Sequence, residues 1–299
     1  MIKTSRLAFT NSDKGFILKV QMKGVFAMRP SLSKIKAPAV AGVIREKTIP
    51  EAIAEINNCM YHGADMIDLH MEVLDDNSVE GLKRIVNETK LPILALNYNC
   101  NYDWSPKGLT EEERIAYFHR ALEAGAAGID IQGYTFHAES KNGFCGEDKY
   151  SFTKNNPKEI VTDKNIIAKQ CELIDKAHDM GAEVLLSCHP GIAMNCEQIL
   201  DLIHFMEERK PDIIKIVSIA NTEEELWESV KTMAEIKKQI KTPVSYHAGG
   251  PFGAPSRILN PIIGGQVAFC VDRYKAGSTM GQLDLETVKS VVDGVRKIY

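Results

Sequence analysis

The sequence predicts a single (β/α)₈ barrel of the TIM type. Three observations predict it: short runs rich in Val, Ile and Leu alternate with longer amphipathic stretches, eight such runs fit within 299 residues, and no linker or composition break splits the chain. Alternating strands and helices give a parallel sheet covered by helices, and eight units in about 250 residues close into a barrel. A doubly wound open sheet is the alternative. It loses support because the first strand-to-helix turn, Arg45-Glu46-Lys47-Thr48, lacks the G-x-G-x-x-G of a dinucleotide fold.

The elements follow in order. Residues 1–36 are an N-terminal extension, in which 7–10 and 16–21, joined by Asn11-Ser12-Asp13-Lys14-Gly15, read as a β-hairpin closing the barrel bottom. The catalytic barrel then occupies 37–299, with strands at 39–44, 66–71, 92–96, 128–131, 183–187, 213–217, 243–246 and 267–271. Helical spacing covers 50–61, 111–124, 162–180, 196–208 and 223–240, and 284–298 follows the eighth strand. Gly63-Ala64-Asp65, Gly125-Ala126-Ala127 and Gly181-Ala182-Glu183 each end a helix and lead into a strand. Glycine there accepts the left-handed backbone that closes a helix. A long polar loop, 133–161, separates the fourth strand from its helix and carries Gly143, Gly146 and Asn155-Asn156-Pro157. Loops of that length in compact domains serve as lids or binding loops.

Composition excludes several classes. Hydrophobic residues at 44% and charged residues at 25% supply a sizeable core and rule out a disordered chain. Lys and Arg number 36 against 40 Asp and Glu, with no basic stripe, which argues against nucleic acid as a partner. No apolar run reaches the roughly 20 residues of a membrane helix. The start, Met1-Ile2-Lys3-Thr4-Ser5-Arg6, lacks the apolar run of a signal peptide. The seven cysteines are odd in number and form no C-x-x-C pair, which suits reduced thiols in a cytoplasmic protein.

A barrel places its chemistry at the C-terminal ends of its strands. Those ends present Asp68 and His70, Asn97 and Asn99, Asp130 and Gln132, His189, Lys215, His247, and then Ser278 and Gln282. Lys215 sits in the otherwise apolar run Ile213-Ile214-Lys215-Ile216-Val217. Burial penalises an ammonium, and a neutral amine attacks carbonyls, so Lys215 is a candidate Schiff-base lysine. The bland alternative is a lysine whose stem packs on the core while its head pairs with a carboxylate. His189 ends the preceding strand, about 4.8 Å away in a parallel sheet, within reach of the same substrate as a general acid and base. The turn 247–257, rich in Gly and Pro, ends in Arg257, and its backbone amides and guanidinium suit an anion. His137, Glu139, Cys145, Glu147 and Asp148 in the long loop, and Asp68, His70 and Glu72 on the second strand, show no standard zinc spacing, so no metal and no other cofactor is expected.

From Pro38 to Tyr299 the chain resembles the type I 3-dehydroquinate dehydratases, the Schiff-base dehydroquinases. The resemblance is carried by Leu185-Leu186-Ser187-Cys188-His189, Ile213-Ile214-Lys215-Ile216, Ser256-Arg257-Ile258 and Ser278-Thr279-Met280-Gly281-Gln282. It implies that Lys215 forms an imine with the substrate ketone. It implies that His189 removes the neighbouring proton and protonates the departing hydroxyl. Arg257, Ser278 and Gln282 would hold the carboxylate, and Phe269 matches an aromatic near the ring. A homodimer, and a role in the shikimate pathway of aromatic biosynthesis, follow from the same resemblance. The family carries Glu-x-Arg at the end of strand 2 and Arg at the end of strand 3. This chain has Asp68-Leu69-His70 and Asn97, which become candidate contacts for the rest of an acidic small-molecule substrate. The family glutamate that orients the histidine has no equivalent here, with Asn101 and Asp103 nearest. A lysine-dependent aldolase on a sugar phosphate and a non-catalytic ligand-binding barrel are the alternatives.

Overall fold

The computed structural model describes residues 29–98, 109–137, 160–275 and 281–298. In chain order the elements are β1 (Ala39–Ile44), α1 (Ile49–Tyr61), β2 (Met66–His70), α2 (Val79–Asn87), β3 (Ile93–Leu96) and α3 (Glu111–Ala124). They continue with β4 (Gly128–Gln132), α4 (Lys164–Asp179), β5 (Glu183–Cys188), α5 (Cys196–Glu207), β6 (Ile213–Ile219) and α6 (Glu223–Gln239). The chain closes with β7 (Val244–Gly249), α7 (Ser256–Ile263), β8 (Val267–Val271), β9 (Leu283–Asp284) and α8 (Leu285–Arg296). All eight strands of the sequence reading are present. The structure adds two short helices, α2 and α7, and the two-residue β9 beside β8.

Every strand pairing is parallel, in the order β7-β6-β5-β4-β3-β2-β1-β8-β9. The sheet curls until its ends meet. Gln266 N–H donates to the Val244 carbonyl at 2.8 Å, and the Ser245 hydroxyl donates to the Val267 carbonyl at 2.7 Å. The result is an α/β barrel.

Helix starts follow the local chemistry. Thr48 with Glu51, Thr110 with Glu113 and Asn195 with Gln198 form reciprocal capping boxes on α1, α3 and α5. Helix ends behave as the spacing predicts: Gly63, Gly125 and Gly181 have φ of 86°, 102° and 74°.

Strand alternation sorts side chains into two cores. Outward residues such as Val40, Ile67, Ala95, Ile129, Leu186, Ile214 and Ala268 join the helix layer. Inward residues Ala39, Ala41, Met66, Leu94, Leu185, Ile213, Val267 and Phe269 fill the barrel. Leu32, fully buried, plugs this inner core from the N-terminal ends of the strands. The Glu183 carboxylate fixes the plug by accepting from the backbone N–H groups of Leu32 (2.9 Å) and Ser33 (2.7 Å). The hairpin expected over 7–21 and most of the 133–161 loop lie outside the described residues.

Above the apolar layers the interior turns polar. Asp68, His70, Asp130, Gln132, Ser187, Lys215, Ser245 and His247 are all buried there. Such groups are costly in an apolar interior unless each finds a partner or a ligand.

Candidate active site

A cavity of about 210 Å³ opens at the C-terminal mouth of the barrel. Lys215, His189, Arg257, Gln282, Phe269, Asp68 and His70 line it, joined by Tyr98 and His247. The structure therefore brings together seven of the nine residues given a catalytic or substrate-binding role in the sequence reading. Ser278, Asn101 and Asp103 lie outside the described residues.

Asn97 is not brought to the cavity. The inward parity of β3 runs through Leu94 and Leu96 to Tyr98, so Asn97 points into the helix layer. Its amide donates to the Arg114 carbonyl at 3.3 Å, and Arg114 Nη1 donates back to the Asn97 carbonyl at 2.8 Å. Arg114 is 1% exposed and also binds Gln132 Oε1 (2.6 Å), both Glu111 carboxylate oxygens and Thr135. This clamp fixes the end of β3 and delivers Tyr98 to the mouth instead.

Lys215 stands 6% exposed at the cavity floor. Its ammonium lies 4.2 Å from the centre of the Phe269 ring and 3.6 Å from Asp130 Oδ2. The amine has a carboxylate neighbour two strands away, the pairing that the sequence leaves open as the bland alternative, and it also lines the cavity. Asp130 Oδ1 accepts from the Ser187 hydroxyl at 2.6 Å, and Ser187 is the register partner of Lys215. Asp130 Oδ2 has no hydrogen-bond partner among the described residues. Burial pushes the Asp130 pKa up, and the Lys215 charge opposes that rise.

His189 follows β5, beside Lys215 on β6. Its Nε2 shares a hydrogen bond with the Tyr98 hydroxyl at 3.3 Å, and the two rings meet edge-on at 5.7 Å. Tyr98 was missed at the sequence level; the alternation Leu94, Leu96, Tyr98 is the signal that finds it.

On the far side, His70 is wedged between two carboxylates. Its Nδ1–H donates to Glu72 Oε1 at 2.6 Å, and Nε2 faces Asp68 Oδ2 at 3.5 Å. Burial alone would lower its pKa, but Glu72 and Asp68 override that and raise it to about 9. His70 is therefore an imidazolium at neutral pH. Arg45, just after β1, is near enough to Glu72, Tyr98 and Asp68 to feel their charge. Asp68 Oδ1 is buried and has no hydrogen-bond partner among the described residues.

The turn after β7 differs from its sequence reading as an amide cradle. The N–H groups of Phe252, Gly253, Ser256 and Arg257 bond to the carbonyls of Ala220, Gly250, Gly253 and Ala254. The Ser256 hydroxyl accepts from Ala248 N–H at 2.8 Å and donates to the Gly253 carbonyl at 2.6 Å. A Cβ on Gly253 would lie 2.2 Å from the Gly249 carbonyl oxygen, so only glycine fits. The turn places Arg257 at the cavity wall. Among the described residues no group of three or more His, Cys, Asp or Glu has metal-holding geometry. No helix there is long and apolar enough to cross a membrane.

Comparison with known proteins follows this geometry. Residues 159–297 match the family model for type I 3-dehydroquinase. Over 246 residues the chain is 21% identical to the 3-dehydroquinate dehydratase of Methanobrevibacter smithii, covering 81% of this chain and 89% of that one. Over 249 residues it is 22% identical to the enzyme of that name from Desulfotalea psychrophila, covering 82% and 93%. The crystal structure of 3-dehydroquinate dehydratase from Geobacillus kaustophilus superposes with a TM-score of 0.69 at 15% identity, covering 90% of this chain and 96% of that one. At that identity the superposition shows the fold.

Proposed function

We propose that the chain is a type I 3-dehydroquinase that dehydrates 3-dehydroquinate, or a closely related keto-polyol carboxylate, through an imine on Lys215, a reading supported by the family-model match over residues 159–297 and by the dehydratase relatives. The observation that carries this reading is one cavity lined by Lys215, His189 and Arg257. The Lys215 amine attacks the ketone carbon, and water leaves to give the iminium. His189 removes the proton from the adjacent carbon, and the electron pair moves into an enamine. The enamine then expels the hydroxyl of the carboxylate-bearing carbon, which takes the proton from His189 and departs as water. Hydrolysis of the remaining iminium frees the enone product and Lys215.

Arg257, with Gln282 and Ser278, holds the substrate carboxylate. Asp68 and the His70 imidazolium take the hydroxyls at the other end, and Phe269 packs on the ring. Asp130 supports the Lys215 amine from below. The same reading carries a homodimer and a cytoplasmic location. Against a sugar-phosphate aldolase stands the β7 turn, whose amides are largely used within the protein.

The test is intact mass after mixing the protein with 3-dehydroquinate and borohydride, beside an absorbance assay for dehydroshikimate. A reduced adduct and turnover are expected, both abolished in Lys215→Ala. Turnover without an adduct, or an adduct that survives Lys215→Ala, would overturn the imine assignment.

A further inference from the structure

The chemistry above leaves His247 without a task. Val244, Tyr246 and Ala248 of β7 pack outward, so Ser245 and His247 face into the barrel. Register pairs Ser245 with Lys215 and His247 with Val217, which sets His247 one inward step above the amine. The imidazole is 5% exposed and lines the cavity. It makes no side-chain hydrogen bond to any described residue, and its ring nitrogens are not among the fully buried polar atoms, so they are left to the cavity that the ring lines. An unsatisfied, nearly buried imidazole facing a cavity is a group waiting for a ligand.

Its charge state follows from its neighbours. Burial, then the Arg257, Lys215 and His189 charges, hold its pKa well below the ordinary value. The ring is therefore neutral and offers one N–H and one lone pair. Of the cations around it, Arg257 acts most strongly and Lys215 next. His247 thus lines the same cavity as the guanidinium that takes the carboxylate and the amine that takes the ketone, close enough to feel both charges. In 3-dehydroquinate these two groups bracket the carbon that loses a proton and the carbon that loses a hydroxyl.

Building on the dehydratase reading, we propose that His247 is a second catalytic histidine, donating an N–H hydrogen bond to the departing hydroxyl. The division of labour is explicit. His189 takes the proton from the carbon beside the iminium and later delivers it to the leaving oxygen. The C–O electron pair goes to that oxygen. His247 keeps its own proton and stabilises the charge that builds there as the bond breaks.

The test separates proton removal from C–O cleavage. Wild type, His247→Leu and His247→Gln are incubated with 3-dehydroquinate in D₂O, and turnover, borohydride adduct and deuterium in recovered substrate are measured. Loss of one such donor costs about 10²–10³-fold in kcat. His247→Leu should show a fall of that order, keep its adduct and accumulate deuterium in unreacted substrate. His247→Gln retains an N–H donor and should recover at least about 10-fold over the leucine variant, within the same range. Wild-type turnover in His247→Leu, no difference between the two variants, or loss of the adduct in both would overturn the proposal. A wild-type protein that neither traps nor dehydrates the substrate would overturn the dehydratase reading and this proposal with it.

Discussion

The two halves of the barrel mouth are built to different plans. The half formed by β5 to β8 carries His189, Lys215, His247, Arg257 and Phe269, and it falls within the stretch that matches the dehydroquinase family model. The half formed by β1 to β4 lies outside that stretch. Where the resemblance led to an expected Glu-x-Arg, it carries a buried cluster of Asp68, His70 and Glu72, near Arg45 and Tyr98. Bond-breaking groups must meet one carbon and its neighbours, which leaves them little freedom. Groups that read distant hydroxyls need only present donors and acceptors at the right places, and a His between two carboxylates can do this as well as an Arg. Chemistry and substrate reading can therefore diverge separately on one scaffold.

That contrast breaks most sharply at His189. Its replacement by Ala should lower kcat by about 10²–10⁴-fold while the Lys215 adduct still forms. Undiminished turnover would shift the base to another residue and erase the distinction between the halves.

His70 probes the opposite half, with stability as the readout. His70→Leu leaves two carboxylates buried without their cation, and chemical denaturation should show a loss of about 3–5 kcal/mol. The pH dependence has a definite sign. Because the folded-state pKa is raised to about 9, the stabilisation is full below the ordinary histidine value and is lost as pH rises through about 9. Wild-type stability should decline over that window and His70→Leu should lack the decline. Parallel pH profiles would mean that His70 is not an imidazolium.

The smallest effect is expected at Arg257, which in the proposed function holds one end of the substrate and breaks no bond. Its replacement by Ala removes charge-assisted hydrogen bonds of about 1.5–3 kcal/mol and should appear mainly in KM. A fall confined to kcat would place Arg257 in the chemical step and extend the reacting region beyond His189 and Lys215.

Much of this was legible before any coordinates. Lys215 in an apolar strand, His189 on the strand before it and the punctuated turn ahead of Arg257 are local patterns. What escaped is the direction of single side chains where a strand ends. Asn97 and Tyr98 are neighbours in the chain, yet one is held by Arg114 in the helix layer and the other faces His189. Spacing reports that a residue stands at a strand end, and only the strand's continued alternation decides which way it points.

The sequence by itself determined the succession of strands and helices and the strands that carry ionisable groups, because these depend on local runs and on periodicities of two and about four residues. The tertiary structure alone decided that Asp130 meets Lys215, that Glu72 and Asp68 charge His70, and that most amides of the β7 turn bond within the protein. Those meetings depend on the tilt and stagger with which the strands close the barrel, and no local spacing records either.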